Sequence, residues 1–221
     1  MYVAEDNAVD YGETITAAVE GLKRRDRRLA GLIERIGPCR LERGRQGMTA
    51  LVNSIVGQQL SNRAAGAIRS RMYSLLGDGE IDPKRLAAVS EEDLRNTGMS
   101  WAKTRCLRGL AEHVLAGDID LDGFDAEDDE AIVEKLTRVK GIGRWTADMY
   151  LMFSLGRLDV FPVDDGSIRT AMRHVYRIPQ AGFVARARKR AERWRPFRSV
   201  ASWYLYRYLD LPRGDGQATA K

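Results

Sequence analysis

Cysteine is scarce in this chain: Cys39 and Cys106 are the two it has. Two cysteines supply neither a disulfide scaffold, nor a cysteine zinc site, nor a four-cysteine iron–sulfur cluster, so buried free thiols are the reading they leave. The two histidines, His113 and His174, sit inside helix-like stretches with no ligand-type neighbour at metal-binding spacing. Long apolar runs are missing as well. No stretch approaches the roughly eighteen apolar residues of a membrane-spanning helix, and the opening MYVAEDNAVDYGET lacks the charged-then-apolar layout of a secretory signal. Strand-like alternation is wanting too. These absences lead us to expect a cytoplasmic protein, nuclear if the source is a eukaryote, with no membrane partner.

What is present is helical periodicity. Apolar residues recur at helix spacing in Leu51, Val52, Ile55, Val56; in Ile68, Met72, Leu75; in Leu107, Leu110, Val114; and in Ile132, Val133, Leu136, Val139. Short breakers separate these segments, at 77–83, 96–100, 117–129 and 160–166. The pattern predicts an all-α protein of about ten short helices. Residues 1–14 and 213–221 are polar and read as a frayed N-terminus and a flexible tail. The net charge of +5 favours a polyanionic partner but also describes many proteins without one. Arginine-rich runs at 22–37 and 186–198 are ordinarily solvated helix faces, and they gain weight beside a specific motif.

The most informative stretch is LTRVKGIGRWTADMYL, 136–151, in which Gly141, Ile142 and Gly143 join two amphipathic helices through a very short hairpin. Two glycines permit a tight turn with positive φ and let another backbone come close. The second helix then opens with its N–H groups and positive dipole end outward, which suits a phosphate oxygen. A GxG between helices is by itself equally well explained as turn chemistry. Downstream, however, the loop LDVFPVDDG, 158–166, delivers adjacent carboxylates at the start of another helix.

The run GIGRWTADMYLMFSLGRLDVFPVDD resembles the helix-hairpin-helix plus Gly/Pro-rich loop and Asp signature of base-excision DNA glycosylases, closest to the DNA-3-methyladenine glycosylase II branch. IVGQQLSNRAA (55–65) and WRPFRSVASWYLYRYL (194–209) resemble the same branch, so the similarity spans about 49–209. The resemblance implies a two-lobed helix-hairpin-helix glycosylase fold with the active site in the cleft between lobes. One lobe would be 49–163, carrying the hairpin, and the other discontinuous, 15–48 plus 164–212.

The resemblance also assigns residues. Asp165 corresponds to the catalytic aspartate, with Asp164 supporting. An N-cap explains Asp165 equally well, and both readings can hold together. Trp145 stands where bifunctional relatives carry an attacking lysine, which implies water as nucleophile and an unbroken strand. Trp145 reads as either core or a wall of the base pocket, and an aromatic face suits a base made cationic by alkylation. Trp101 is divided between pocket and simple packing. Gln59, flanked by Leu60 and Ser61, matches the plug that fills the gap left by an extruded nucleotide; a solvent-facing helix end is the alternative. Arg144 and Thr146 join Gly141, Ile142 and Gly143 as expected DNA contacts. The main-chain carbonyls of Thr137, Val139 and Ile142 match the family's monovalent-cation ligands.

The function these assignments imply is monofunctional excision of alkylated purines such as 3-methyladenine from double-stranded DNA. The protein would act as a monomer, without a required cofactor and with room for a structural Na or K ion at the hairpin. A glycosylase for other damaged or mismatched bases, or a helix-hairpin-helix module that binds DNA without catalysis, are the alternatives.

Overall fold

A computed structural model describes residues 4–77 and 79–212, without the side chains of 4–10 and Arg63. The expected tail, 213–221, lies outside the described residues. Among them are twelve α-helices and two short 3₁₀ turns, and no strand. The chain divides into two compact units, 43–156 and 1–42 with 157–221.

In the 43–156 unit, α3 (Gly47–Gly57), α4 (Asn62–Leu76), α5 (Pro83–Ala88), α6 (Glu91–Asn96), α7 (Trp101–Leu115), α8 (Asp129–Thr137) and α9 (Arg144–Phe153) follow one another. Helix starts follow capping chemistry. Ser61, Ser90 and Ser100 accept from first-turn amides of α4, α6 and α7, and Asp82 does so before Pro83 at the head of α5. α3 packs on α4, α7 and α9, and α8 on α9. Leu51, Val52, Ile55, Val56, Leu107, Leu110, Ile132 and Leu136 are buried, as their periodicity predicts.

The other unit holds α1 (Ala4–Arg25), α2 (Arg27–Ile36), α10 (Gly166–Tyr176), α11 (Phe183–Ala191) and α12 (Arg198–Asp210). α12 packs on α1, α2 and α10. The N-terminus expected to fray over 1–14 is instead helical from Ala4. Ile15, Ala18 and Leu22 fall on one buried face, and that anchored face lets the helix propagate outward through the polar residues before it.

Local bonding explains where the units divide, ahead of the boundaries at 48/49 and 163/164 expected from sequence. Arg43 pairs with Asp125 at 2.6 Å, Gly44 N–H bonds the Phe153 carbonyl at 2.9 Å, and Gly47 N–H bonds the Tyr150 hydroxyl at 3.1 Å, tying 43–48 to α9 and its neighbours. Leu158 and Val160 bond to Ser199 of α12, tying 157–163 to the other unit.

Candidate nucleic-acid interface and candidate active site

The hairpin between α8 and α9 turns at Gly141, whose φ is +105°. A Cβ added there would lie 2.9 Å from Cys106 Cβ and 3.0 Å from its Sγ. The close approach this glycine permits is therefore to α7 of the same unit. Gly143 behaves differently from the expectation of a second positive-φ glycine. Its φ is −96° and ψ 173°, open to any residue, and an added Cβ would meet nothing within 4 Å. It is the N-cap of α9 with no side-chain capping bond, so first-turn donors that serine or aspartate satisfies elsewhere in the fold get no such partner here. Ile142 is buried, and its N–H closes the turn onto the Val139 carbonyl at 3.0 Å.

Two expected DNA contacts of α9 have partners within the protein. Thr146 is buried, and its hydroxyl accepts from Gln58 Nε2 at 2.8 Å. Arg144 forms a two-point pair with Glu130 (2.7 and 2.8 Å) and bonds Asp148 through Nε at 2.9 Å. Hydrogen bonding to Glu130 is the main reason its pKa is pushed further upward. Arg144 is nevertheless half exposed, and its guanidinium has N–H groups beyond these three bonds.

α3 ends at Gly57 and α4 starts at Asn62, and Gln59 between them has φ +56°. Gln59, Leu60 and Ser61 are exposed, with Ser61 Oγ capping α4. Two side chains to which the sequence reading gives no role support this turn. Lys103 Nζ donates to the carbonyls of Val56 (2.8 Å) and Gln58 (2.7 Å), and Gln58 reaches across to Thr146. The turn and the first turn of α9, distant in sequence, are thereby joined. Partial burial lowers the Lys103 pKa. Its neighbour Trp101, the first residue of α7, is 47% exposed. Trp145, second in α9, is half-buried.

Asp165 stands in the other unit, 8% exposed, as the N-cap of α10. Its Oδ1 accepts from Ser167 N–H at 2.8 Å and Ile168 N–H at 3.0 Å, so the carboxylate is aimed by the helix it caps and favoured by that helix's positive end. Asp164 is exposed. The loop before the pair is fastened to α12. Arg198 holds Asp159 through Nε and Nη2 (2.7 and 3.0 Å), Arg195 adds a 2.7 Å contact, and Ser199 Oγ donates to the Arg157 carbonyl and accepts from Val160 N–H. Phe161 meets Trp194 edge to face at 5.7 Å. The motifs at 158–166 and 194–209 thus form one connected structure.

The family model described as "HhH-GPD superfamily base excision DNA repair protein" matches residues 52–196, and the chain belongs to that superfamily. It is similar to DNA-3-methyladenine glycosylase 1 of Schizosaccharomyces pombe, with 35% identity over 195 residues covering 87% of this chain and 86% of the relative. Among solved structures, a 3-methyladenine DNA glycosylase of S. pombe in complex with abasic DNA matches with a TM-score of 0.80 and 34% identity, over 88% of this chain and 97% of that one. A DNA-3-methyladenine glycosidase from Bacillus halodurans matches with a TM-score of 0.76 and 36% identity, over 86% and 88%. No helix among the described residues is long and apolar enough to cross a membrane.

Proposed function

We infer that this protein is a monofunctional DNA glycosylase that removes alkylated purines, 3-methyladenine among them, from double-stranded DNA. The observation that carries the reading is Asp165: a buried carboxylate aimed by two amides of α10, at the end of a loop fastened to α12, in a chain of the base-excision superfamily. The names of its relatives supply the substrate class.

The damaged nucleotide is turned out of the stack, at a cost of a few kcal/mol that is smallest for a damaged base. Gln59 fills the space it leaves, with Leu60 and Ser61 beside it. α9 holds a phosphate at its N-terminus, through Gly143 and the main-chain N–H of Arg144. The face of Trp145, with Trp101 as a second aromatic, attracts a cationic base by about 0.5–2 kcal/mol. As the glycosidic bond breaks, Asp165 stabilises the positive charge growing on the sugar or takes a proton from the attacking water. An alkylated base leaves already activated and needs little acid assistance. With tryptophan at 145, water is the nucleophile and the strand stays whole.

The enzyme works as a monomer, in the compartment that holds the DNA, and needs no cofactor. A monovalent cation is held at the hairpin by main-chain carbonyls. Thr137 and Val139 supply two of them, and the Val139 carbonyl keeps a lone pair beyond its bond from the Ile142 N–H. With Ile142 these are neutral, hard oxygen donors suited to such an ion.

The test is single-turnover release of 3-methyladenine from alkylated duplex at saturating enzyme. Asp165→Asn keeps the cap and deletes the charge, so its rate should fall on the order of a thousandfold, while Asp164→Asn, at an exposed position, should cost far less. An active Asp165→Asn enzyme refutes the mechanism.

A further inference from the structure

In the arginine-rich run at 186–198, Arg195 and Arg198 fasten the loop before Asp165, while the basic residues ahead of them take no part in that loop or in the hairpin. Arg186, Lys189, Arg190 and Arg193 recur at i, i+3, i+4 and i+7 along α11 and the 3₁₀ turn that continues it, so they share one face. With Arg177 they line a recess of about 430 Å³ whose floor includes Tyr176. Arg190 lies over the Tyr176 ring at 4.8 Å and reaches Asp26 at 3.7 Å. Glu192, the acid next in sequence, is turned to Arg195 and Arg198. Among the described residues no ion pair neutralises Arg177, Arg186, Lys189 or Arg193, and all four are exposed.

Two features separate this recess from a solvated helix face. Like charges at i, i+3 and i+4 repel, and here a fifth cation converges on them from another helix, around a concave floor. Arg177 also ends α10 in the left-handed region, φ +55° and ψ +38°, a place where glycine is the low-cost residue. Gln59 is the other non-glycine residue with positive φ among the described residues.

We propose that this recess is a second phosphate-binding site for the DNA backbone, in the unit that does not carry the hairpin. The partner follows from chemistry. Guanidinium forks match phosphate oxygens, a row of cations along one face matches a row of phosphates, and the chain belongs to a DNA-repair superfamily. The proposal rests on the DNA-acting reading given above. The contacts would position the duplex without reading its sequence.

The test measures affinity for an undamaged 20-base-pair duplex across a salt series. The probes are wild type, the triple variant Arg186→Gln/Lys189→Gln/Arg193→Gln, and Arg177→Gly. The logarithmic salt slope of wild type should be steep, and each phosphate left without its cation should flatten it by about 0.9. The triple variant should therefore be shallower by about 2.7 and bind about tenfold or more weakly at low salt. Arg177→Gly should melt higher, because the left-handed residue is relieved, yet bind DNA less tightly; a merely structural arginine would give no loss of binding. A triple variant with the wild-type slope overturns the site. Inorganic tripolyphosphate serves as the second probe. If the triple variant fails to bind it but keeps the wild-type DNA slope, the recess holds a free polyphosphate and the DNA assignment is overturned. If wild type binds duplex with no salt dependence, the DNA-acting reading itself fails, a result distinct from either.

Discussion

The two glycines of the hairpin look alike in sequence and should respond oppositely to a single methyl group. At Gly141 the methyl meets two penalties. Its φ of +105° is one that residues with a Cβ rarely adopt, at about 1–3 kcal/mol. The added carbon would also sit 2.9 Å from Cys106 Cβ and 3.0 Å from Sγ, an overlap relieved by backbone shifts worth about 1–3 kcal/mol. Since Cys106 sits on α7 and is itself buried, there is little room to yield. Gly141→Ala should lose about 3 kcal/mol, or about 6–12 °C in melting temperature for a chain of this size. At Gly143 the backbone is extended and the space around the new carbon empty, so Gly143→Ala should hold or gain about 0.5 kcal/mol by restricting the unfolded chain. Its effect should appear in binding. Gly143→Val should keep the wild-type melting temperature and weaken affinity for every duplex alike, because its side chain intrudes on the phosphate contact proposed for α9. Thermal melting and fluorescence anisotropy on the three variants check this. A Gly141→Ala protein as stable as wild type, or a Gly143→Val protein that binds DNA normally, refutes the reasoning.

Other consequences can be read as directly. Asp26 takes Arg28 and Leu29 N–H on Oδ1 and the Tyr176 hydroxyl and Trp194 Nε1 on Oδ2. Asp26→Asn turns an amide donor toward one pair of donors and should cost about 3–5 kcal/mol in urea unfolding, so a loss under about 1 kcal/mol would contradict it. Burial pushes the Cys106 thiol up to about 11 from 9.0; the folded thiol keeps its proton while the unfolded one ionises. Its contribution is therefore whole below pH 9 and lost between pH 9 and 11, so Cys106→Ala should gain on wild type by about 2 kcal/mol across that window. An unchanged difference between the two proteins would count against the burial argument. Borohydride added during turnover should trap no protein–DNA adduct, and product strands should stay whole until alkali is applied; a trapped adduct would mean that a lysine attacks the sugar.

Much of the fold is legible in the sequence because burial follows periodicity. Apolar residues at helical spacing mark the helices carrying Leu51 to Val56, Leu107 to Val114 and Ile132 to Val139. Periodicity yields fewer than the twelve helices observed partly because α5 and α6 are six residues each, too short for a period to register, though Pro83 and Ser90 signal their starts. The helix from Ala4 escapes the pattern because its outer turns carry no apolar stripe and lean on an anchored face further along. At the site, Asp165 as a cap is readable from the residue preceding a helical stretch. Gly143 departs from expectation because glycine states what backbone is permitted and not what is adopted. Lys103 and Gln58 give no local sign, since their value lies in carbonyls and a hydroxyl brought near by the fold. The bonding of Thr146 and Arg144 likewise depends on partners at 58, 130 and 148.

The signature from Gly141 to Asp165 is continuous in sequence but is divided between the two compact units, the hairpin in one and the aspartate in the other. The physical reason for the second half lies in α12. Residues 157–163 contain a proline and no helix, so their backbone groups need partners from elsewhere. Ser199 and Arg198 provide them, with Ser199 fully buried between the Arg157 carbonyl and the Val160 N–H. What makes WRPFRSVASWYLYRYL part of the resemblance is then mechanical. It holds fast the loop whose end sets the direction of Asp165, and the first turn of α10 completes that setting. Both steps act through main-chain groups, which is how one aspartate can cap a helix and, in the function proposed above, also be the group offered to the chemistry.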